Sequence, residues 1–406
     1  MEKIETIIVG GGQAGLATSY HLKQLGREHI VFEAAEKAGN AWRNDRWDSF
    51  TLVTPNWSIQ LPGAHYEGND PDGFLTKDEV VVYFERYVEK YNLSVQFKTS
   101  VLEVASIDGN GYQVKTGGGV YRAKNIVMAT GSFQKPKIPA FSANIPSEIL
   151  QLHSGRYRNP GQLPDGAVLI VGSGQSGMQI AEELYQSERT VYLCTGSAPR
   201  VPRRYRGRDI FSWLADTGFF DQPVDKLPSP KARFMGNPQV TGKNGGHSLN
   251  LHQFARDGVK LFGHIAGVQD GKIIFSPDLK ENLAKVDKAE KDIVGMIDRY
   301  IEIHGISAPQ ETLPDLQDGY SVEVITELDL KSENISTIIW AMGYTADYSL
   351  VKLPLTDEDG FPVQQRGITQ YPGLYFVGMN WLSKRKSPIL LGVNEDVEYI
   401  IAEMMR

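Results

Sequence analysis

Three glycines near the start of the chain, Gly10, Gly12 and Gly15, stand at the spacing Gly-x-Gly-x-x-Gly, with Gln13 and Ala14 between the last two. That spacing carries a chemistry. The first glycine allows a tight turn, the second lets the backbone approach a pyrophosphate, and the third lets a helix pack closely on a strand. The pyrophosphate then rests on unpaired N–H groups at the helix N-terminus. Glu33 ends the next apolar run. A carboxylate there accepts from a ribose 2′-OH.

The spacing returns at Gly172, Gly174 and Gly177, around Gln175 and Ser176. Glu33 lies 23 residues past Gly10, and the matching position, 172 + 23, is Thr195. The acid that would repel a 2′-phosphate is missing. Five arginines follow in nine residues: Arg200, Arg203, Arg204, Arg206 and Arg208. Arginine binds phosphate bidentately and keeps its charge. Ser197, Arg200 and Arg203 are therefore candidates for the 2′-phosphate, and NADPH is expected over NADH. Two such loops in one chain point to FAD at the first and a nicotinamide cofactor at the second.

Elements must position these loops. Residues 4–33 and 167–195 each read as strand, glycine loop, helix and strand, a βαβ unit of about 30 residues. A second echo follows each. The run Asn125–Gly131 ends in Ala129-Thr130-Gly131, and Thr337–Gly343 ends in Ala341-Met342-Gly343. Unbroken apolar runs suit parallel strands buried on both faces. Thr76 and Glu79 form a capping box, with Val80, Tyr83, Phe84, Tyr87 and Val88 at helical spacing behind it. Helices are also expected over 279–304 and from about Asn394 to Met404, and a strand at Leu374–Val377. Proline-rich stretches at 135–139 and 158–165 read as linkers, and 220–250 as irregular loop. The expected fold is α/β, with two Rossmann-like dinucleotide-binding domains, the second inserted in the first. Residues 1–157 and 326–406 make the FAD-binding domain and 158–325 the NADP-binding domain.

Composition excludes other classes. The 406 residues carry a net charge of −7, which argues against a nucleic-acid partner. No apolar run reaches the length of a membrane span. The chain opens Met-Glu-Lys-Ile-Glu without a basic region and apolar core, so no signal peptide is expected. Cys194 is the one cysteine, which rules out an internal disulfide or a CxxC redox pair. A cytoplasmic enzyme without a metal site is expected. Oligomeric state is left open, a homodimer among the options.

The two loops, the run Gly39-Asn40-Ala41-Trp42-Arg43 and the Ala-Thr-Gly strand end resemble class B flavoprotein monooxygenases. The segments Gly373–Gly378 and Leu391–Val393 fit a bacterial flavin-containing monooxygenase-like branch. Of the family fingerprint F-x-G-x-x-x-H-x-x-x-(Y/F), His153, Ser154 and Tyr157 are present, while Phe141 lies too far upstream. The Baeyer–Villiger form ends in Trp, not in the Tyr157 found here. The resemblance implies that NADPH reduces FAD and that a C4a-(hydro)peroxyflavin, shielded by bound NADP, oxygenates a small amine, sulfide or similar substrate with O2. The cofactor holds the oxidising power, and the protein orients and excludes water. Ala41 and Trp42 would line the FAD, Asn56 would position the peroxide, and the backbone of Val101 would meet adenine. The last helix, starting near Val393 and Asn394, would face the reduced flavin. Baeyer–Villiger oxygenation, a reductase of quinones or of a protein partner, and a non-catalytic flavin-binding regulator are the competing readings.

Four further residues stand out less. His247 and His252 read as ordinary loop or helix-start histidines, His153 as a hinge contact, and Cys194 as inert packing. Lys384-Arg385-Lys386 reads as a small basic cluster facing either a cofactor phosphate or solvent, with solvent favoured.

Overall fold

The structure, a computed structural model, describes residues 2–107 and 111–406. Two large sheets organise the chain, the first mixed and the second parallel. In the first, of seven strands, Glu2–Val9 lies between His29–Phe32 and Gly119–Met128, parallel to both. The sheet extends on one side to Val95–Gln96. On the other side, the start of Gly119–Met128 pairs with an antiparallel meander, Tyr112–Thr116 and Val101–Ser106, and its end pairs with Leu374–Phe376. The second sheet is parallel throughout, in the order Leu150–His153, Ile335–Trp340, Ala167–Val171, Val191–Cys194, Lys260–Phe262. Ile7, Ile8, Val168, Leu169, Ile338 and Ile339 have no exposed surface, as strands covered on both faces require.

Among the described residues, eight α-helices serve the sheets: α1 (Gln13–Gln24), α2 (Asn40–Asn44), α3 (Lys77–Lys90), α4 (Gln175–Gln186), α5 (Ile210–Asp216), α6 (Leu251–Arg256), α7 (Leu279–Ile303) and α8 (Val393–Met404). The capping box at α3 forms as expected. Thr76 Oγ1 accepts from Glu79 N, and the Glu79 carboxylate accepts from Thr76 N. Val80, Phe84 and Tyr87 are its buried face. The expected helix at 279–304 is α7, and α8 packs across α1.

The insertion is present, but its edges move. Leu150–His153 and Ile335–Trp340 were expected in the first domain, and both belong to the second sheet. The reason is local. Each glycine loop packs on the alanine that ends the strand beside it, so Ala341 must stand next to Gly172 as Ala129 stands next to Gly10. The chain crosses between the sheets twice. Lys135–Pro136 and Tyr344–Thr345, one from each crossing, form a short antiparallel ribbon. His153 pins it: Nε2 donates to Gly343 O at 3.0 Å and Nδ1 accepts from Gly155 N at 3.2 Å. Burial lowers the pKa of His153, in keeping with the neutral ring these contacts require. Among the described residues no helix is long and apolar enough to cross a membrane. Nor does any group of three His, Cys, Asp or Glu side chains among them suit a metal ion.

Candidate active site

The two loops share one backbone geometry. Gly10 has φ +106° and Gly172 φ +107°, backbone that favours glycine. A Cβ on Gly10 would stand 2.6 Å from Ala129 O, and one on Gly172 2.8 Å from Ala341 O. A Cβ on Gly15 would meet Gly10 O at 1.9 Å, and one on Gly177 would meet Gly172 O at 1.8 Å. Between them, Gly12 and Gly174 cap α1 and α4 without a side-chain cap, and nothing lies within 4 Å of where their Cβ would be. The open space and the uncapped N–H groups fit a pyrophosphate at each loop. Gly131 (φ +69°) and Gly343 (φ +78°) repeat the turn after the neighbouring strands.

The loops differ where the riboses would lie. Glu33 accepts from Gly11 N at 2.6 Å and from Ala35 N at 2.8 Å, which fixes its carboxylate beside the first loop. Thr195 turns away instead. Its Oγ1 donates to Phe262 O at 2.7 Å, and Gly196 N donates to Ser173 Oγ. Ser197 follows, exposed at the loop rim. Val101 starts the strand just beyond Thr99, whose N–H donates to Glu33 O, so it does stand near the Glu33 end of the first unit.

Both loop glutamines tie down an incoming segment. Gln13 Nε2 donates to Pro388 O at 2.5 Å, and Gln175 brackets Val240, accepting from its N and donating to its O. Gln239, fully buried, donates to Ser173 O and Ala198 O at the rim of the second loop. Sequence reasoning missed Gln239 and Pro388, because both lie in irregular segments far along the chain from the loops they hold.

Trp42 stands on α2, whose N-cap is Gly39 (φ +73°), with Ala41 exposed beside it. The indole packs against the cores of both sheets, so it sits at their seam. Asn56 is buried, and its amide is already engaged. Nδ2 donates to Asp70 O at 2.9 Å and Oδ1 accepts from Leu75 N at 2.8 Å. It thus staples the segment 70–75, a role the sequence did not suggest. Asn56→Ala would leave a buried N–H and C=O without partners, at about 1–3 kcal/mol each. A lower melting temperature is therefore expected, with Asn56→Asp intermediate because it keeps the acceptor for Leu75. A melt unchanged by Asn56→Ala would remove the staple role.

One expectation fails. Arg200 and Arg203 are not free to clamp a phosphate. Arg200 donates to Asp287 at 2.9 Å and Glu290 at 2.6 Å, and Arg203 makes a bidentate pair with Asp209 and donates to Val53 O. Arg204, Arg206 and Arg208 are also engaged, with Gly245 and Gly246 carbonyls, Asp298 and Asp216. Buried arginines need such partners, and these were invisible because most lie dozens of residues away. The Asn394 side chain contacts His21 at 2.7 Å and Glu398 at 2.8 Å, on the α1 side of α8, and its backbone stays at the helix start.

The remaining histidines have structural partners. His247 meets Glu182 at 2.6 Å, and His252, fully buried, meets Asp287 and packs at a tilt against Tyr320. Tyr157 donates to Glu183 on α4. Cys194 is buried, which pushes its thiol pKa up.

Residues 7–212 match the family described as pyridine nucleotide-disulphide oxidoreductase. An uncharacterized CzcO-like oxidoreductase of Geobacillus kaustophilus is 32% identical over 404 residues, which covers 99% of this chain and 98% of the relative. The indole-3-pyruvate monooxygenase YUCCA1 of Oryza sativa subsp. japonica is 30% identical over 180 residues, 44% of each chain. A flavin-containing monooxygenase from Stenotrophomonas maltophilia shares the fold, with a TM-score of 0.68 at 19% identity, covering 100% of this chain and 99% of its own. The chain belongs to the pyridine nucleotide-disulphide oxidoreductase family.

Proposed function

We propose that the chain is an FAD- and NADPH-dependent monooxygenase acting on a small nucleophilic substrate, such as an amine or sulfide. The observation that carries this reading is the duplicated cradle: two uncapped helix starts, each with an open glycine, in one chain. FAD belongs at Gly10–Gly15, where Glu33 is set to accept from a ribose hydroxyl, and the nicotinamide cofactor at Gly172–Gly177. When bound, FAD supplies hydride acceptance from the nicotinamide and activation of O2.

The residues of the chain do the rest. The N–H groups at the starts of α1 and α4 hold the pyrophosphates. The start of α8, at Val393, favours negative charge on the group it faces. Trp42, wedged between both cores, excludes water from the seam. Asn56 holds the segment 70–75 and keeps one amide hydrogen beyond its bond to Asp70 O, available to position the oxidant. A dithiol relay is disfavoured, because Cys194 is the chain's one cysteine and is buried.

The test is an oxygen electrode. NADPH oxidation by the FAD-loaded protein is expected to consume O2 and to stop under strict anaerobiosis, including when a quinone is supplied. Equal anaerobic turnover with a quinone would replace this reading with a reductase. No turnover with any acceptor would leave a flavin-binding regulator.

A further inference from the structure

The basic run 384–386 does not simply face solvent. Lys384 and Lys386 share two acids: Lys384 Nζ lies 3.1 Å from Asp221 and 2.8 Å from Glu395, and Lys386 Nζ lies 2.9 Å from Asp221 and also contacts Glu395. Arg385, between them, is treated differently. Its guanidinium carbon sits 4.1 Å from the Phe219 ring centroid and 4.6 Å from that of Trp381. NH2 donates to Gln222 Oε1 at 2.9 Å, and the buried Nε has no partner. No carboxylate among the described residues pairs with it, and burial brings its pKa down to about 10.

A half-buried cation without an anion is costly, and two aromatic faces offset only part of that, about 0.5–2 kcal/mol each. The backbone beside it is strained as well. Trp381, buried and bulky, has φ +54°, where such residues rarely sit. Strain of this kind gathers where a ligand is clamped. The position suits a ligand too. Arg385 belongs to the connection after Leu374–Phe376, at the carboxyl ends of the first sheet's parallel strands, where open α/β sheets bind ligands. Pro388, tied to Gln13 in the first loop, is three residues on, at most about 11 Å of chain. Phe219 and Phe220 come from the inserted half, and their cluster takes in Ile389, Leu391 and Val53. The arginine therefore stands at the seam of the two halves.

We propose that Arg385 is the anchor for a carboxylate on the substrate, held edge-on by the guanidinium between Phe219 and Trp381. Carboxylate and phosphate both match the guanidinium fork. The pyrophosphates already have the two helix starts, so the substrate is the source assigned here. This deepens the monooxygenase reading and rests on it for the word substrate.

The test is calorimetric titration of the FAD-loaded protein with benzoate and phenylacetate, with their neutral amides, and separately with NADP+. The parent protein is expected to bind a carboxylate about tenfold or more tightly than the matching amide. Arg385→Gln should abolish that preference, Arg385→Lys should retain part of it, and NADP+ affinity should stay within about twofold in both. Retained flavin shows that the variants fold. No preference in the parent, or no carboxylate binding up to about 10 mM, overturns the proposal. So does a loss of NADP+ affinity in Arg385→Gln with carboxylate binding intact, which would make this a cofactor phosphate site. The titration involves no turnover, so its outcome and that of the oxygen experiment are separate.

Discussion

Gly15→Ala is expected to give protein that purifies without flavin, and Gly177→Ala protein that keeps its flavin and fails to bind NADP+. The methyl group would stand 1.9 Å from Gly10 O in the first and 1.8 Å from Gly172 O in the second. In each case the obstacle is a backbone carbonyl of the loop, so the loop must move. Overpacking of this kind costs about 1–3 kcal/mol in stability. The larger effect falls on the ligand, because the displaced N–H groups are the ones that hold the pyrophosphate, and each 1.4 kcal/mol lost there is about tenfold in affinity. Gly12→Ala separates the two effects. Its backbone is ordinary and its Cβ would enter open space. It should leave the melting temperature of the flavin-free protein unchanged and still lower flavin occupancy. The ratio of flavin to protein absorbance and an NADP+ titration read all three. Loss of flavin from Gly177→Ala with retention in Gly15→Ala would reverse the assignment of the loops.

Asp287→Ala is expected to be the most destabilising single change in the inserted half. Asp287 accepts from Arg200 at 2.9 Å, from Tyr320 at 2.7 Å and from the buried His252 at 3.1 Å. Removing it leaves Nε2 of the buried His252 without its partner and Arg200 with Glu290 and Asn250 alone, and breaking a buried pair costs about 3–5 kcal/mol. At about 2–4 °C per kcal/mol, the melting temperature should fall by roughly 10 °C. A pH dependence follows. Burial alone would raise the Asp287 pKa, but hydrogen bonds from His252 and Tyr320 and the Arg200 charge bring it down from 3.8 to about 2. A depressed carboxylate pKa stabilises the fold above its unfolded value and loses that contribution as pH falls. Asp287 should thus supply about 2 kcal/mol above pH 4, lost between about pH 4 and 2. The variant should lack that part of the acid limb. Arg200→Ala belongs to the same experiment: it should lower the melting temperature and leave NADP+ affinity unchanged. A stable Arg200→Ala protein with weakened NADP+ binding would restore Arg200 as a phosphate ligand.

The contrast between the glycine loops and the arginine run shows what a sequence can carry. Gly10, Gly12 and Gly15 act on neighbours fixed by their own spacing: a turn, a helix start and a carbonyl five residues back. Their roles were legible, as was the capping box of Thr76 and Glu79. Arg200 depends on Asp287 and Glu290, which are brought to it by α7, and nothing local distinguishes it from a free arginine. The strand Ile335–Trp340 is an intermediate case. Its apolar run was clear, but in a parallel sheet every buried strand looks alike, so its partner was not. The echo of Ala129 in Ala341 held the answer, since each alanine must abut the first glycine of its own loop. Asn56 and Arg385 were hardest to read. One staples a segment 14 to 19 residues downstream, and the other is distinguished by partners that it lacks.

On this reading, oxygen transfer is driven by two dinucleotides, one at each glycine loop. The most direct measurement is mass spectrometry of products formed from a panel of amines and sulfides, some bearing a carboxylate, under 18O2 with NADPH and the FAD-loaded protein. One atom of 18O per product molecule is expected, with none incorporated when the label is in water instead. Product formed equally without O2, or carrying oxygen from water, would contradict it.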